Sequence, residues 1–189
     1  MLIEKLKRSA WVYLFVALFL VLGACSNTED VERTEKMEGM DHSNMDMSSS
    51  GEVPEGLKAA KNPTYPVGSK AIIQEAHMEG MKDAEATIVG AYDTTVYTIT
   101  YTPTMGGEKV ENHKWVVHEE LIDVGDAPLE PGAEVKTDAS HMKDMEGATV
   151  EINSAEQTIV YMVDFTMTTN GEEVKNHKWV TERELSPVK

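Results

Sequence analysis

Residues 95–104 read TVYTITYTPT, and residues 158–168 read TIVYMVDFTMT. In the first, Val96, Thr98 and Thr100 alternate with Tyr97, Ile99 and Tyr101. A period of two, rich in β-branched and aromatic side chains, belongs to a strand and not to a helix. The second stretch alternates in the same way. Val96-Tyr97 and Val160-Tyr161 are 64 residues apart, and the likeness continues on both sides of them.

Aligning 65–121 with 129–185 needs no gap. His77, Met78, Met81 and Ala84 fall on His141, Met142, Met145 and Ala148. Asn112-His113-Lys114-Trp115-Val116 falls on Asn176-His177-Lys178-Trp179-Val180, and Leu121 on Leu185. The chain therefore contains a duplicated unit. Two copies of this size, each with its own apolar pattern, predict a tandem pair and not a solenoid.

Within each unit further short strands are expected at AIIQEA (71–76), at ATIVGAY (86–92) and at the closing HKWVVHEEL (113–121) or HKWVTEREL (177–185). Gly106-Gly107 and Asn170-Gly171 sit between strands and supply the positive φ that tight hairpins need. No stretch of the repeats carries helical periodicity over ten residues. A four- or five-stranded unit must curl to cover its edges. The strand–turn–strand rhythm of HMEGMKDAEATIV (77–89) resembles small SH3-like barrels with a KOW-type turn. The predicted fold is all-β: two tandem small SH3-like (KOW-type) β-barrels, residues 62–124 and 125–189.

The first 24 residues read as a signal peptide. Glu4-Lys5-Leu6-Lys7-Arg8 is net positive, Trp11 to Leu22 is apolar, and Leu22-Gly23-Ala24-Cys25 resembles a bacterial lipobox. The apolar run falls short of the roughly 20 residues of a membrane span. Cys25 would then carry the lipid of a mature chain anchored outside the cytoplasm. As the single cysteine of the sequence, it excludes an intramolecular disulfide. Losing Glu4, Lys5, Lys7 and Arg8 with the leader takes the net charge from −16 to −18, with 14 basic and 32 acidic side chains remaining. So acidic a chain is a poor partner for nucleic acid, whose phosphates call for Lys and Arg. Residues 25–61 are polar and short of branched aliphatics, the composition of a disordered tether.

Two kinds of site stand out. The tether places Met37, Met40, His42, Met45 and Met47 within eleven residues, among neighbours too polar for packing to explain them. Each repeat carries His-Met-x-x-Met and Asn-His-Lys-Trp. Thioether and imidazole donors suit a soft ion, Cu(I) or Ag(I), over Ca²⁺ or Mg²⁺. The candidate ligands are His77, Met78, Met81, His113 and Trp115 in the first copy, and His141, Met142, Met145, His177 and Trp179 in the second. On a regular strand His113 and Trp115 share a face. The residue types resemble the copper set of the periplasmic chaperone CusF, with an indole beside the ion. Methionine also plugs irregular cores well, so the same motif has a purely structural reading. A left-handed turn is expected at Gly80, which is matched by Asp144. The carboxylates are numerous and scattered, the pattern of a solvated face. No phosphate loop, HExxH or Ser-His-Asp order is present, and catalysis is not expected. His118, matched by Glu182, reads as a surface residue.

The doubled HMxxM and NHKWV motifs resemble the YdhK/CopL-type family of bacterial lipoproteins over nearly all of 62–187. That resemblance implies copper binding outside the cell, in copper resistance, with a copper-exporting ATPase as partner. The rival expectation is a cell-envelope adaptor that binds a protein or wall polymer, with the His/Met motifs structural.

Overall fold

The computed structural model describes residues 48–189. The predicted signal peptide, Cys25, and the tether residues Met37, Met40, His42, Met45 and Met47 lie outside the described residues. Among the described residues no helix is long and apolar enough to cross a membrane.

The all-β expectation holds. Two long strands form the spine: β3 (Glu85–Tyr101) and β7 (Thr149–Thr166). Around them lie β1 (Lys58–Ala59), β2 (Lys70–Ile73), β4 (Val110–Val117), β5 (Leu121–Ile122), β6 (Glu134–Thr137), β8 (Glu173–Thr181) and β9 (Leu185–Pro187). All nine belong to one sheet. One-turn 3-10 segments, His118–Glu120 and Glu182–Glu184, separate β4 from β5 and β8 from β9.

β3 runs where two strands are expected, at 86–92 and 95–104. The intervening Tyr92-Asp93-Thr94-Thr95 contains no Gly or Pro, and Thr94 pairs with Thr158 across the sheet. β-Branched residues favour extended backbone, so the strand continues. It kinks instead at register shifts between Ile88 and Gly90 and between Thr98 and Ile99.

β3 and β7 pair antiparallel from Ala86↔Phe165 to Tyr101↔Val150. Moving each partner by the repeat offset turns the first of these pairs into the second. The same holds elsewhere. Ile73↔Leu185 between β2 and β9 corresponds to Thr137↔Leu121 between β6 and β5. The copies are thus related by a pseudo-two-fold axis through the β3–β7 pair.

The packing follows that symmetry and crosses the repeats. One core joins Ile73, Met81 and Ile88 of the first copy to Tyr161, Val163, Phe165 and Val180 of the second. Another joins Tyr97, Ile99, Tyr101 and Val116 to Met145, Val150 and Ile152. The opposite face of the alternation, Val96, Val160 and Met162, packs with Trp115, Val117 and Trp179.

Part of the 25–61 segment belongs to the fold. Residues Lys58–Ala59 pair with Asp93 and Tyr92. The Ser49 N–H donates to the Lys175 carbonyl at 2.9 Å, and the Ser49 hydroxyl donates to the Asn176 carbonyl at 2.7 Å.

The two His-Met turns show why their Gly and Asp are exchanged. Gly80 and Asp144 have φ of 78° and 58°, while Asp83 and Gly147 have 63° and 77°. Both positions need a left-handed residue, and each copy meets one need with Gly and the other with Asp. Each turn docks on the other copy: the Thr168 N–H donates to the Gly80 carbonyl at 2.8 Å and the Thr104 N–H to the Asp144 carbonyl at 2.9 Å.

Candidate functional site

The His-Met-x-x-Met motif divides its labour. Met81 and Met145 are wholly buried in apolar clusters. Met78 is buried in the first cluster, and Met142 lies partly buried against the second. The histidines turn instead into two small polar clusters related by the pseudo-two-fold.

In the first cluster His77 Nε2 is 2.9 Å from Glu184 Oε1. Glu184 Oε2 accepts from Trp115 Nε1–H at 2.9 Å and from the Thr181 N–H at 2.9 Å. The His77 ring stands 6.4 Å from the Trp115 ring and 6.5 Å from the His177 ring, centre to centre. Phe165 meets His177 edge-on at 5.6 Å. Lys114 Nζ approaches Glu184 Oε1 at 3.5 Å and binds Glu75 at 2.8 Å.

The second cluster repeats the plan. His141 Nε2 is 2.7 Å from Glu120 Oε1, and Glu120 Oε2 accepts from Trp179 Nε1–H and the Val117 N–H, both at 3.1 Å. The His141 ring lies 6.2 Å from His113 and 6.5 Å from Trp179. Tyr101 stands edge-on to His113 at 6.0 Å, its phenol pushed up to about 12 by burial.

The structure therefore pairs His77 with Trp115, as the one-unit site requires, but brings in His177 where His113 is expected. His113 and Trp115 do not share a destination. The β3–β4 register slips between Tyr97↔Val116 and Ile99↔His113, so three residues of β4 answer two of β3. Same-face alternation breaks there. Asn112 and Asn176, both at φ 52°, open the irregularity in each copy, and the Lys114–Trp115 and Lys178–Trp179 peptides are cis.

Glu120 and Glu184 correct the reading of the carboxylates as a solvated face: their exposures are 3% and 0%. Burial pushes the Glu184 carboxyl up, but His77, the Thr181 N–H and the Trp115 indole together outweigh it and hold the group at about 2. Glu120 is likewise lowered, burial being overcome by His141, the Val117 N–H and Trp179. A signal for both was present: the copies repeat Glu at the same offset, one residue before Leu121 and Leu185.

His77 and His141 side chains are each 7% exposed, and their Nδ1 atoms are buried without a hydrogen-bond partner. No group of three or more His, Cys, Asp or Glu side chains able to hold a metal occurs among the described residues. Each cluster instead offers two imidazoles, with methionines in the adjoining core. His118 belongs to neither. Its ring bonds the Tyr97 hydroxyl at 2.9 Å and the Gly125 carbonyl at 3.0 Å.

These features define an all-β protein of two interlocked copies with paired histidine–glutamate–tryptophan clusters. The chain belongs to the family described as protein of unknown function (DUF1541), whose model matches residues 67–118 and 131–182. It is similar to the Bacillus subtilis (strain 168) protein YdhK, with 55% identity over 185 residues, 96% of this chain and 90% of that one. A crystal structure of YdhK from that organism aligns at 62% identity and a TM-score of 0.75, covering 78% of this chain and all of that one. A solution structure of the YdhK C-terminal domain aligns at 64% identity and a TM-score of 0.62, covering 65% and 92%. The YdhK resemblance read from HMxxM and NHKWV is thereby borne out.

Proposed function

We propose that this protein binds Cu(I) outside the cytoplasm, anchored to the membrane by lipid on Cys25, and either sequesters the ion or hands it to an export pump. It acts as a binding protein and not as an enzyme. The observation that carries this reading is the buried, unpartnered Nδ1 of His77 and of His141, each in a ring that faces a second imidazole. Metal–imidazole bonds of about 2 Å on either side, with about 1 Å from ring centre to nitrogen, span roughly 6 Å. The ring separations of 6.5 and 6.2 Å fit that span. Two imidazole nitrogens, with methionines in the adjoining core, suit a soft monovalent ion. Met37, Met40, His42, Met45 and Met47 would capture the ion first.

The test is an anaerobic Cu(I) competition titration against a chromophoric chelator, on 26–189 and on 48–189. Two ions retained by 48–189 support the histidine pairs. Binding by 26–189 alone assigns copper to the Met/His segment. No competition by either removes the copper reading.

The burial of Met81 and Met145 in apolar clusters favours a second reading, in which the motifs are structural and the protein is an envelope adaptor. In that case His77→Ala lowers stability, and neither it nor the parent protein competes for Cu(I).

A further inference from the structure

We propose that Glu184 and Glu120 are positioning residues that fix the tautomer of His77 and His141, so that Nδ1 is the nitrogen presented to a metal ion. The proposal rests on the soft-metal reading of these clusters and adds which atom binds and what sets it.

The argument is one of donors and acceptors. With two N–H donors on Oε2 and the Lys114 ammonium 3.5 Å from Oε1, Glu184 sits as a carboxylate, whose oxygens only accept. Oε2 is occupied by the Trp115 indole N–H and the Thr181 backbone N–H, neither of which can reverse its role. Oε1 faces His77 Nε2 at 2.9 Å, which must then donate. When the ring carries a single proton, that proton is on Nε2, and Nδ1 keeps its lone pair. Nδ1 is buried with no other partner. Leaving such a group unmatched costs stability, and an ion there would satisfy it. Glu120 repeats every element: Trp179 and the Val117 N–H on Oε2, His141 on Oε1, and His141 Nδ1 buried without a partner. A carboxylate on the far nitrogen of a ligating histidine is a general means of orienting the ring and raising its basicity.

Glu184→Gln makes the proposal sharp. The two fixed donors hold the amide oxygen at the Oε2 position, so the amide NH₂ takes the Oε1 position. It then donates to His77 Nε2 and drives the ring proton to Nδ1. Glu120→Gln does the same to His141. Each variant keeps the shape of the side chain and inverts one imidazole.

The experiment reads histidine tautomers by long-range ¹H–¹⁵N correlation on the metal-free mature chain at neutral pH. It then titrates the same samples with Ag(I) as probe. The wild type is expected to show His77 and His141 protonated on Nε2, with the Nδ1 resonances shifting on Ag(I) addition. E184Q is expected to move the His77 proton to Nδ1 and weaken that site 10–100-fold, leaving the His141 site unchanged; E120Q gives the mirror result. Protonation of Nδ1 in the wild type, silver shifting Nε2, or an inverted tautomer with unchanged silver affinity each overturns the proposal. If E184Q does not fold, the wild-type tautomers and E120Q decide it. A wild type with the expected tautomers that binds no silver overturns the metal reading itself, a failure distinct from a wrong tautomer.

Discussion

Trp115 and Glu184 lie 69 residues apart in the chain and share a buried hydrogen bond of 2.9 Å. The indole comes from the first copy and the carboxylate from the second. The bond therefore reports on how the copies are joined as much as on the site. Hydrogen bonds to a charged acceptor contribute about 1.5–3 kcal/mol. Trp115→Phe removes the donor and little of the apolar surface, so urea unfolding should show a loss of about 2 kcal/mol. Trp179→Phe should cost a similar amount through Glu120. A loss below 0.5 kcal/mol in both, roughly the level of an ordinary surface substitution, would mean that the indole N–H groups are incidental.

Acid should act through the same carboxylate. Glu184 is held at about 2 against an ordinary 4.5. A group lowered on folding contributes stability that is complete above its unfolded value and lost as pH falls through its folded one. Glu184 thus contributes fully above about pH 4.5, and the contribution disappears on the way to pH 2. Stability measured by urea titration across this window should fall more steeply in the wild type than in Glu184→Gln. The gap between the two proteins should be widest near neutrality and close on acidification. Parallel curves would show that Glu184 is not the group being titrated.

The exchanged Gly and Asp of the two His-Met turns make unequal predictions. At Gly80 an added Cβ would stand 2.6 Å from Thr169 Oγ1 and 3.1 Å from Met167 Cβ, on a backbone at φ 78°. At Gly147, φ 77°, nothing lies within 4 Å. A left-handed non-glycine residue costs about 1–2 kcal/mol. Gly147→Ala should therefore lose about 1 kcal/mol and Gly80→Ala clearly more, with the excess due to contact with the other copy. Thermal or urea melts that rank Gly147→Ala as the more damaging would contradict the docking of the first turn on residues 167–169.

Neither repeat should fold alone. Residues 48–124 supply Ile73, Met81 and Ile88 but leave their partners Tyr161, Val163 and Phe165 behind. The fragment should give poorly dispersed amide resonances and no cooperative melt. Mixing it with 125–189 should restore dispersion. A well-dispersed spectrum from 48–124 alone would mean that the repeat is its own packing unit.

Much of this was readable in the residues, and the limits have physical causes. The alternation of Tyr97, Ile99 and Tyr101 gives the strand and one of its two packed faces. The Gly-Gly and Asn-Gly dipeptides mark the hairpins, with Gly106, Gly107 and Gly171 all at positive φ. The left-handed need at Gly80, met by Asp144, is visible from the pair of turns. The constant offset gives the duplication. It does not say which copy completes which core, because sheet pairing between like strands is decided by register across the whole length of β3 and β7. The meeting of His77 with His177, and of His141 with His113, depends on that pairing.

The site residues were legible as types and less so as a set. HMxxM singles out the two histidines that meet the buried carboxylates, but burial assigns Met81 and Met145 to the cores. Glu120 and Glu184 looked like two more acidic side chains in an acidic chain. Only the donors gathered around them, an indole, an imidazole and a backbone N–H, explain a buried carboxylate. The break in alternation between His113 and Trp115 was hidden because a register shift leaves no apolar signature; the asparagine before each histidine is its faint mark.

The pseudo-two-fold through β3 and β7 leaves each copy incomplete by itself. A single unit of this sequence carries a histidine whose carboxylate, and a tryptophan whose acceptor, sit on another copy. A molecule one repeat long would meet those needs only by pairing with a second copy, each closing the other's sites through an isologous contact. The chain carries both halves of that contact on one polypeptide. His113 and His177 each enter the cluster that the other copy's HMxxM opens, while Trp115 and Trp179 stay in their own, so a change in either copy's NHKW is felt in both clusters.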